Sequence, residues 1–216
     1  LERAALIEIV GRVPSRTDLL ATTIDPGITL QFVRYMAQSA PAAERKAFGD
    51  MGSLLDELIA KYELQSKRNN GVVARLLSLR ASISASDDPV ATSEKVASLM
   101  ARAVAIDPCW ARGWSQWANA HGQLLERNRT VVSSTGEDVL RCAVHGYVMS
   151  LLHTNPSKYG AAGSANIAQD LLLVLSLWSA NVRNAVAIRT LATELRAIPF
   201  KMWRTVVPQL IARIDL

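Results

Sequence analysis

Cysteine and histidine, the side chains most often used for metal binding and nucleophilic catalysis, are scarce in this 216-residue chain. It holds Cys109 and Cys142, with His121, His145 and His153. A structural zinc site needs such ligands at short, characteristic spacings, and a nucleophilic thiol needs a histidine beside it as a base. Neither pattern is present, so the sequence predicts no metal and no cofactor. Each histidine is interpreted as a partly buried helix residue.

Phosphate-transfer chemistry would need a glycine-rich loop. The run from Gly160 to Gly163 has glycines at both ends, but no Lys-Ser/Thr pair follows it as in a nucleotide-binding P-loop. The sequence also lacks a kinase catalytic loop and an Asp-Phe-Gly triplet. We therefore predict that this chain is not itself an enzyme and has no catalytic residue.

The composition indicates a packed helical protein. Half of the residues are hydrophobic, 20% are charged, and glycine and proline are few. The formal net charge of +5 is too small to argue for nucleic-acid binding. The most apolar stretch, residues 167–178, is interrupted by Gln169 and Asp170, so no membrane span is predicted. Two lone thiols without a secretory signal favour the cytoplasm, with the nucleus as an alternative.

Apolar residues recur at helical spacing along nearly the whole chain, and no segment alternates as a strand would. Turn sequences such as Asn69-Asn70-Gly71 and Asp107-Pro108 separate the periodic segments, and residues 155–163 are predicted as a loop. Pro41 can open a short additional helix. Because it begins at Leu1 and ends within an apolar pattern, the chain is interpreted as an excerpt of a longer protein. Helices are predicted at 4–10, 15–23, 28–37, 50–62, 72–83, 109–127, 137–153, 166–179, 182–196 and 199–214. A further helix, which carries Val96, Leu99, Met100, Ala103 and Val104, follows the capping loop at residues 86–89 and stops at Asp107-Pro108.

A tryptophan-rich segment, residues 110–121, distinguishes between a bundle and a solenoid. Trp114, Trp117, Ala118 and His121 follow the aromatic, apolar, small and aromatic offsets of a tetratricopeptide repeat (TPR), and Pro108 lies where the preceding repeat would end. We predict an all-α fold, an α-solenoid of antiparallel helix hairpins. Its structural core is expected to include Trp114, Trp117, Ala118, Trp178, Trp203 and Leu210.

The end of the chain differs from the tryptophan segment. Pro208 lies inside the last periodic segment and removes a helical hydrogen bond, so that helix must kink or restart. Kinked amphipathic helices are common in HEAT-type solenoids. We therefore predict a single helical-repeat region, residues 1–216, that is TPR-like over 1–130 and HEAT-like over 137–216.

The last motif also carries a family resemblance. Residues 203–215, WRTVVPQLIARID, resemble a signature near the C-terminal end of the FAT domain in target-of-rapamycin (TOR) kinases, which belong to the phosphatidylinositol-3-kinase-related family. Four upstream segments are similar to motifs of that family in the same order. They are residues 74–79, 110–118, 143–147 and 169–178.

The resemblance implies that the chain is a non-catalytic scaffold segment of a serine/threonine protein kinase. In that family the FAT solenoid packs around a C-terminal kinase domain, which uses ATP and Mg²⁺, and other subunits of a large complex are further expected partners. Some of these kinases are thought to hold an inositol polyphosphate in the FAT region. The candidate cations for such a site are Lys61, Lys67, Arg68, Arg75 and Arg80.

An alternative function is a free-standing TPR-type adaptor that binds peptide tails. Arg102 and Arg112, on either side of the repeat junction, would then form a basic clamp. A regular repeat and a capping helix would favour this alternative, and neither is recognisable in the sequence.

Overall fold

The computed structural model describes residues 25–41, 49–65, 69–84, 89–127, 134–154, 156–181, 183–204 and 206–208. Within these ranges the regular elements are all α-helices, and no strand occurs, which confirms the all-α prediction. The helices are α1 (Pro26–Gln38), α2 (Met51–Gln65), α3 (Asn70–Ser82), α4 (Pro89–Ile106), α5 (Ala111–Arg127), α6 (Ser134–His153), α7 (Pro156–Ala180), α8 (Ala185–Leu195) and α9 (Phe200–Trp203).

The chain divides into two compact units, Leu1–Asp107 and Pro108–Leu216. The division follows the Asp107-Pro108 turn, where the sequence predicted a helix to stop. It does not coincide with the polar gap at residues 130–136, between the regions interpreted as TPR-like and HEAT-like. The two repeat styles therefore stay a prediction.

The first helix of the first unit begins at a side-chain cap. The Asp25 carboxylate accepts hydrogen bonds from the backbone N–H groups of Gly27, at 2.8 Å, and Ile28, at 3.2 Å. Pro26 occupies the first turn, where its missing N–H costs nothing. Thr29 then faces inward, and its hydroxyl accepts a 2.9 Å hydrogen bond from the buried phenol of Tyr62 on α2. This bond joins α1 to α2 inside the core.

Helix α3 is the centre of the first unit, because it packs against α1, α2 and α4. Arg80, in its last turn, pairs with Asp56 in the first half of α2, and the Asn70 side chain at its start bonds the Ile106 carbonyl at the end of α4. Both neighbours therefore run antiparallel to α3. The largest fully buried side chains of this unit are aromatic or aliphatic: Phe32, Met36, Leu54, Leu55, Leu58, Tyr62, Leu76, Leu77 and Met100.

Helix α6 takes the corresponding place in the second unit, in contact with α5, α7 and α8. Helices that follow one another in sequence thus pack together within each unit, the arrangement expected of an α-solenoid. One cluster of buried residues runs through the second unit. It comprises Leu140, Val144, Val148, Leu151, Ile167, Leu171, Ala187, Leu191, Ile198, Met202 and Val206.

Helices α7 and α3 begin inside segments that the sequence predicted as breaks. Helix α7 starts at Pro156, so the segment 155–163 that we interpreted as a loop is helical from its second residue. Proline is tolerated in the first turn of a helix, and each interior glycine costs only about 1 kcal/mol relative to alanine. Helix α3 likewise includes Asn70 and Gly71, so the predicted break is confined to the residues before them.

The C-terminal helix is shorter than predicted. Helix α9 ends at Trp203, and the chain is helical again at Val207 and Pro208. This interruption agrees with the predicted effect of Pro208 on the bond to the Arg204 carbonyl. The rest of the predicted helix lies outside the described residues. So do the helices predicted at 4–10 and 15–23 and most of the one that Pro41 was expected to open.

Candidate functional site: a buried polar network in the second unit

A carboxylate is buried among the helices of the second unit. Asp170 on α7 is only 4% exposed. One of its oxygens accepts a hydrogen bond from the Ser115 hydroxyl on α5 at 2.9 Å, and the other accepts from the Ser150 hydroxyl on α6 at 2.6 Å. A single side chain therefore ties three helices together.

The surroundings of Asp170 act on its charge in opposite directions. Burial raises the pKa of the carboxyl, because the ionised form loses its hydration. The hydrogen bonds from Ser150 and Ser115 lower the pKa, because they stabilise the ionised form, but burial is the larger effect. A buried carboxylate is tolerated when its lone pairs are satisfied, and here each oxygen has a donor.

A second polar contact lies on the same two helices, α5 and α6. The buried phenol of Tyr147 donates a 2.7 Å hydrogen bond to the Asn119 side-chain oxygen. Burial is the main cause of the raised pKa of Tyr147, and the negative charges of Asp170 and Glu126 raise it further. The phenol therefore stays protonated and keeps its role as a donor to Asn119.

The close approach of α5 and α6 depends on Gly146. A Cβ atom placed there would lie 2.9 Å from the Ala118 Cβ, 2.9 Å from Cε3 of Trp117 and 3.1 Å from the Trp114 carbonyl oxygen. Contacts of that length are repulsive, so only glycine fits without displacing α5. The small side chain of Ala118, which is fully buried, completes the crossing.

Aromatic rings line one side of α5 next to this crossing. Trp114 and Trp117 meet edge to face with their centroids 5.6 Å apart, and Trp117 meets His121 in the same way at 4.8 Å. The Trp114 indole N–H donates to the Pro108 carbonyl at 2.7 Å, which ties the start of α5 to the preceding turn. On α6, His145 packs its ring against Trp114 at 5.8 Å.

The two histidines of this region differ in their polar contacts. Nδ1 of His121 is buried and has no hydrogen-bond partner among the described residues, and burial lowers the pKa of this imidazole. His145 instead lies 3.2 Å from a carboxylate oxygen of Glu194, a contact that joins α6 to α8. Neither ring faces Asp170 or its serines in any recorded contact.

This arrangement can hold helices in register, and it does not have the serine–histidine–aspartate order of a catalytic triad among the described residues. Ser115 and Ser150 donate to Asp170, and no histidine base lies between a serine and the carboxylate, as a catalytic triad would require. In the described part of the chain, no group of three or more His, Cys, Asp or Glu side chains could hold a metal ion. No described helix is long and apolar enough to cross a membrane.

The predicted core residues have different environments. Trp114 and Trp117 are partly buried, and Trp203 is partly buried against the large apolar cluster. Trp178 departs from the prediction, since it is 43% exposed. It lies in the last turns of α7, where Ser176, Ser179 and Ala180 are also exposed, so solvent reaches the ring. Leu210 lies outside the described residues.

Three of the five predicted polyanion ligands, Lys61, Arg75 and Arg80, lie among the described residues, and each contacts a different side chain of the first unit. Arg75 pairs with Asp107 at 3.0 Å, and Arg80 pairs with Asp56 at 3.0 Å. The Lys61 ammonium lies 5.4 Å from the centroid of the neighbouring Tyr62 ring. Each guanidinium is thus already engaged by its own carboxylate. Lys67 and Arg68 lie outside the described residues, so the site stays a prediction.

Sequence reasoning missed the residues of the polar network. In the sequence, Asp170 interrupts an apolar stretch and belongs to the resembling segment 169–178, but nothing there predicts its contacts with Ser115 and Ser150 or the contact of Tyr147 with Asn119. A charged residue within an otherwise apolar helix is a usable signal, because a buried carboxylate must find donors. The identity of those donors depends on the packing of three helices.

The comparisons with known proteins give partial matches. The chain is 26% identical over 126 residues to the serine/threonine-protein kinase mTor of Drosophila melanogaster, a match that covers 53% of this chain. It is 23% identical over 112 residues to the serine/threonine-protein kinase tor1 of Schizosaccharomyces pombe, which covers 52% of this chain. Each match spans about 5% of the relative's length. No protein-family profile matches the chain. Part of the chain is therefore similar to a short stretch of TOR kinases.

Proposed function

We propose that this chain is a FAT-type helical segment of a TOR-like serine/threonine protein kinase. Its function is that of a non-catalytic scaffold, which packs around a C-terminal kinase domain, constrains it and offers surface to other proteins. The partial similarity to two TOR kinases supports the kinase context. The FAT assignment and the scaffold role rest on the motifs and on their arrangement.

The observation that carries the proposal is the convergence of three separate TOR-like motifs. Residues 110–118 supply Ser115 and Ala118, residues 143–147 supply Gly146 and Tyr147, and residues 169–178 supply Asp170. Ser115 bonds Asp170, and Gly146 lies against Ala118. Ala118, Gly146 and Asp170 are positions through which the sequence resembles the family, and they lie where α5, α6 and α7 pack together.

A lock of this kind suits a scaffold. Two satisfied hydrogen bonds to a buried carboxylate disfavour every helix register that would leave the charge unpaired, since an unpaired buried charge is far more costly than a paired one. The gain is mainly in the uniqueness of the packing. A segment that constrains another domain needs a single packed arrangement more than it needs high stability.

The remaining parts of the proposal concern the longer protein. Its kinase domain would use ATP and Mg²⁺, whereas this segment would bind neither. Its partners would be the kinase domain of the same chain and further subunits of a kinase complex. The location would be the cytoplasm, with the nucleus as an alternative.

The test is carried out on the natural full-length chain that contains this segment. We expect its coding sequence to continue into a kinase domain with a catalytic loop and an Asp-Phe-Gly triplet. The purified protein should transfer phosphate from ATP to serine or threonine of a protein substrate. A natural chain that lacks a kinase domain would overturn the proposal and favour the adaptor alternative.

The scaffold role needs a separate measurement in the same protein. Gly146→Val should disturb the α5–α6 crossing and change the kinase rate, although Gly146 would not contact ATP or substrate. Gly122→Ala is the matched control, because a Cβ atom there meets only the Tyr147 hydroxyl, at an ordinary 3.7 Å. Equal kinase rates for wild type and Gly146→Val, with the valine variant folded by circular dichroism, would show that the segment does not constrain the kinase.

A further inference from the structure

The end of the second unit carries most of the net charge of the chain. Residues 183–204 contain five cationic side chains and one carboxylate, a net charge of +4, against +5 for all 216 residues. The carboxylate belongs to Glu194 and lies against His145. The cations are Arg183, Arg189, Arg196, Lys201 and Arg204. All five are exposed, and none takes part in an ion pair with a described carboxylate.

An aromatic ring is exposed among these charges. Phe200, the first residue of α9, is 82% exposed, and Val207 is 40% exposed. By contrast, Met202 and Val206 of the same segment are buried in the apolar cluster. An isolated exposed apolar residue is common on protein surfaces, but the described part of the fold does not account for a phenylalanine with this exposure beside several cations that have no described carboxylate partner.

These groups lie close together along the chain, at the end of the described part of the second unit. Arg204 continues the helical conformation of α9, with φ −58° and ψ −26°, and the Val206 N–H bonds the Trp203 carbonyl at 3.0 Å. Phe200 and Arg204 are four residues apart and therefore lie on the same side of this turn, with Lys201 exposed next to Phe200 and Val207 exposed after the interruption. Arg196, exposed just beyond α8, precedes them. We call these five residues the C-terminal patch.

We propose that the C-terminal patch is a docking site for an acidic protein segment that carries a large apolar side chain. The charge favours a partner rich in Asp or Glu, since opposite potentials steer and orient association. Phe200 would be the central apolar contact, because aromatic and arginine side chains dominate the binding energy of protein interfaces. Arg196 and Arg204 would each hold a carboxylate through two parallel hydrogen bonds.

A protein partner fits this patch better than a lipid surface does. A helix that lies in a membrane interface needs an apolar face over several turns, whereas α9 has four residues and its neighbours Met202 and Val206 are buried. Four of the five cations of residues 183–204 are arginine, whose planar guanidinium matches carboxylate geometry. The exposed Phe200 ring and the neighbouring guanidinium groups therefore suit a peptide in which acidic and apolar side chains alternate.

The experiment selects binders from a displayed library of random peptides on the 216-residue chain, with counter-selection on the triple variant F200A/K201E/R204E. We expect the enriched peptides to be net acidic and to contain a large apolar residue. The affinity of a representative peptide should fall about tenfold or more in Phe200→Ala and in Arg204→Glu, and it should decrease with salt. These side chains are exposed, so the variants should fold like the wild type.

Matched controls come from the first unit. Leu64→Ala removes an exposed apolar side chain, 89% exposed, and Arg34→Glu reverses an exposed charge. Neither should change the affinity. Enrichment of neutral or basic peptides, or of none that depends on Phe200, would overturn the proposal. A third outcome would also overturn it: no peptide is selected, but the chain binds phosphatidylserine vesicles and the triple variant does not. That result would identify a lipid surface as the partner.

Discussion

The two units of the molecule treat charge differently. In the first unit the ion pairs Arg80–Asp56 and Arg102–Glu63 are at least partly exposed, and the buried polar side chains among its described residues are the hydroxyls of Thr29, Tyr62, Ser84 and Ser93. In the second unit a carboxylate lies inside the helix packing and is held by two serines. Both units are all-helical over their described residues, so they differ in the placement of charged side chains and not in secondary structure.

This contrast indicates which unit has the more tightly specified helix registers. Exposed ion pairs contribute about 0–1 kcal/mol each and leave neighbouring helices free to adjust. A buried carboxylate has few acceptable arrangements, because losing its donors leaves an uncompensated charge. The second unit, which holds most of the TOR-like motifs, is therefore the one whose helix registers are most tightly specified.

Spectroscopy can separate the two units without labels. All five tryptophans and all three histidines lie after Asp107. Tryptophan fluorescence therefore reports the unfolding of the second unit alone, and hydrogen exchange measured by mass spectrometry resolves both.

The largest expected effect is that of Trp117→Ala. The ring packs beside the α5–α6 crossing and against Trp114 and His121, so its removal should destabilise the second unit by about 3–5 kcal/mol. Urea unfolding followed by the fluorescence of the remaining tryptophans measures this. Trp178→Ala, at the exposed ring, should cost less than half as much. A loss below about 1 kcal/mol for Trp117→Ala would show that the ring is not part of the core.

The next effect concerns the helix crossing itself. Gly146→Ala should destabilise the second unit by about 1–3 kcal/mol, because the added methyl group meets Ala118 and Trp117 at 2.9 Å. Gly122→Ala, in an open position of α5, should instead stabilise it by about 0.5–1 kcal/mol through helix propensity. The same urea titration serves for both. Stabilisation by Gly146→Ala would mean that α5 and α6 are not in close contact.

The polar network should contribute less than the aromatic core. Asp170→Ala leaves the Ser115 and Ser150 hydroxyls without their acceptor, and we expect a loss of about 1–2 kcal/mol, since the substitution also removes the desolvation cost of the carboxylate. Asp170→Asn should recover part of the loss. Asp56→Ala, which breaks the partly exposed pair with Arg80 in the first unit, should cost about 0–1 kcal/mol. Equal losses for Asp170→Ala and Asp56→Ala would remove the contrast between the units.

The smallest effect is a pH dependence of the second unit. Burial lowers the pKa of His121 in the folded chain, so the unfolded chain takes up its proton first as the pH falls through the ordinary histidine pKa of 6.5. The contribution of His121 to the free energy of unfolding of the second unit is therefore fully present above that pH and is lost as the pH decreases. The His121→Leu variant should lack this part of the dependence.

Hydrogen exchange at a series of pH values measures this effect in each unit. Exchange rates must first be corrected for the intrinsic pH dependence of exchange. The protection of α5 and α6 should then weaken with acid, and that of α2 and α3 should change little, because the first unit holds no histidine. An identical pH dependence in wild type and His121→Leu would show that the imidazole is solvated rather than buried.

The all-α class and most of the helix positions follow from the amino-acid sequence alone. The apolar periodicity located α2, α4, α5 and α6 to within a few residues, and Asp107-Pro108 marked the end of α4. These features depend on interactions within one helix or one turn, which neighbouring residues encode directly. Ala118 was likewise placed in the core by its spacing from Trp114 and Trp117, and it is fully buried.

The contacts between residues of different helices depend on the tertiary structure. Ser115, Ser150 and Asp170 come from three helices, and their contact depends on helix registers that no local pattern specifies. The exposure of Trp178 and the early start of α7 at Pro156 have the same origin. The hydrophobicity of a residue does not indicate whether another helix covers its side chain. A propensity cost of about 1 kcal/mol per glycine is small enough for packing between helices to offset it.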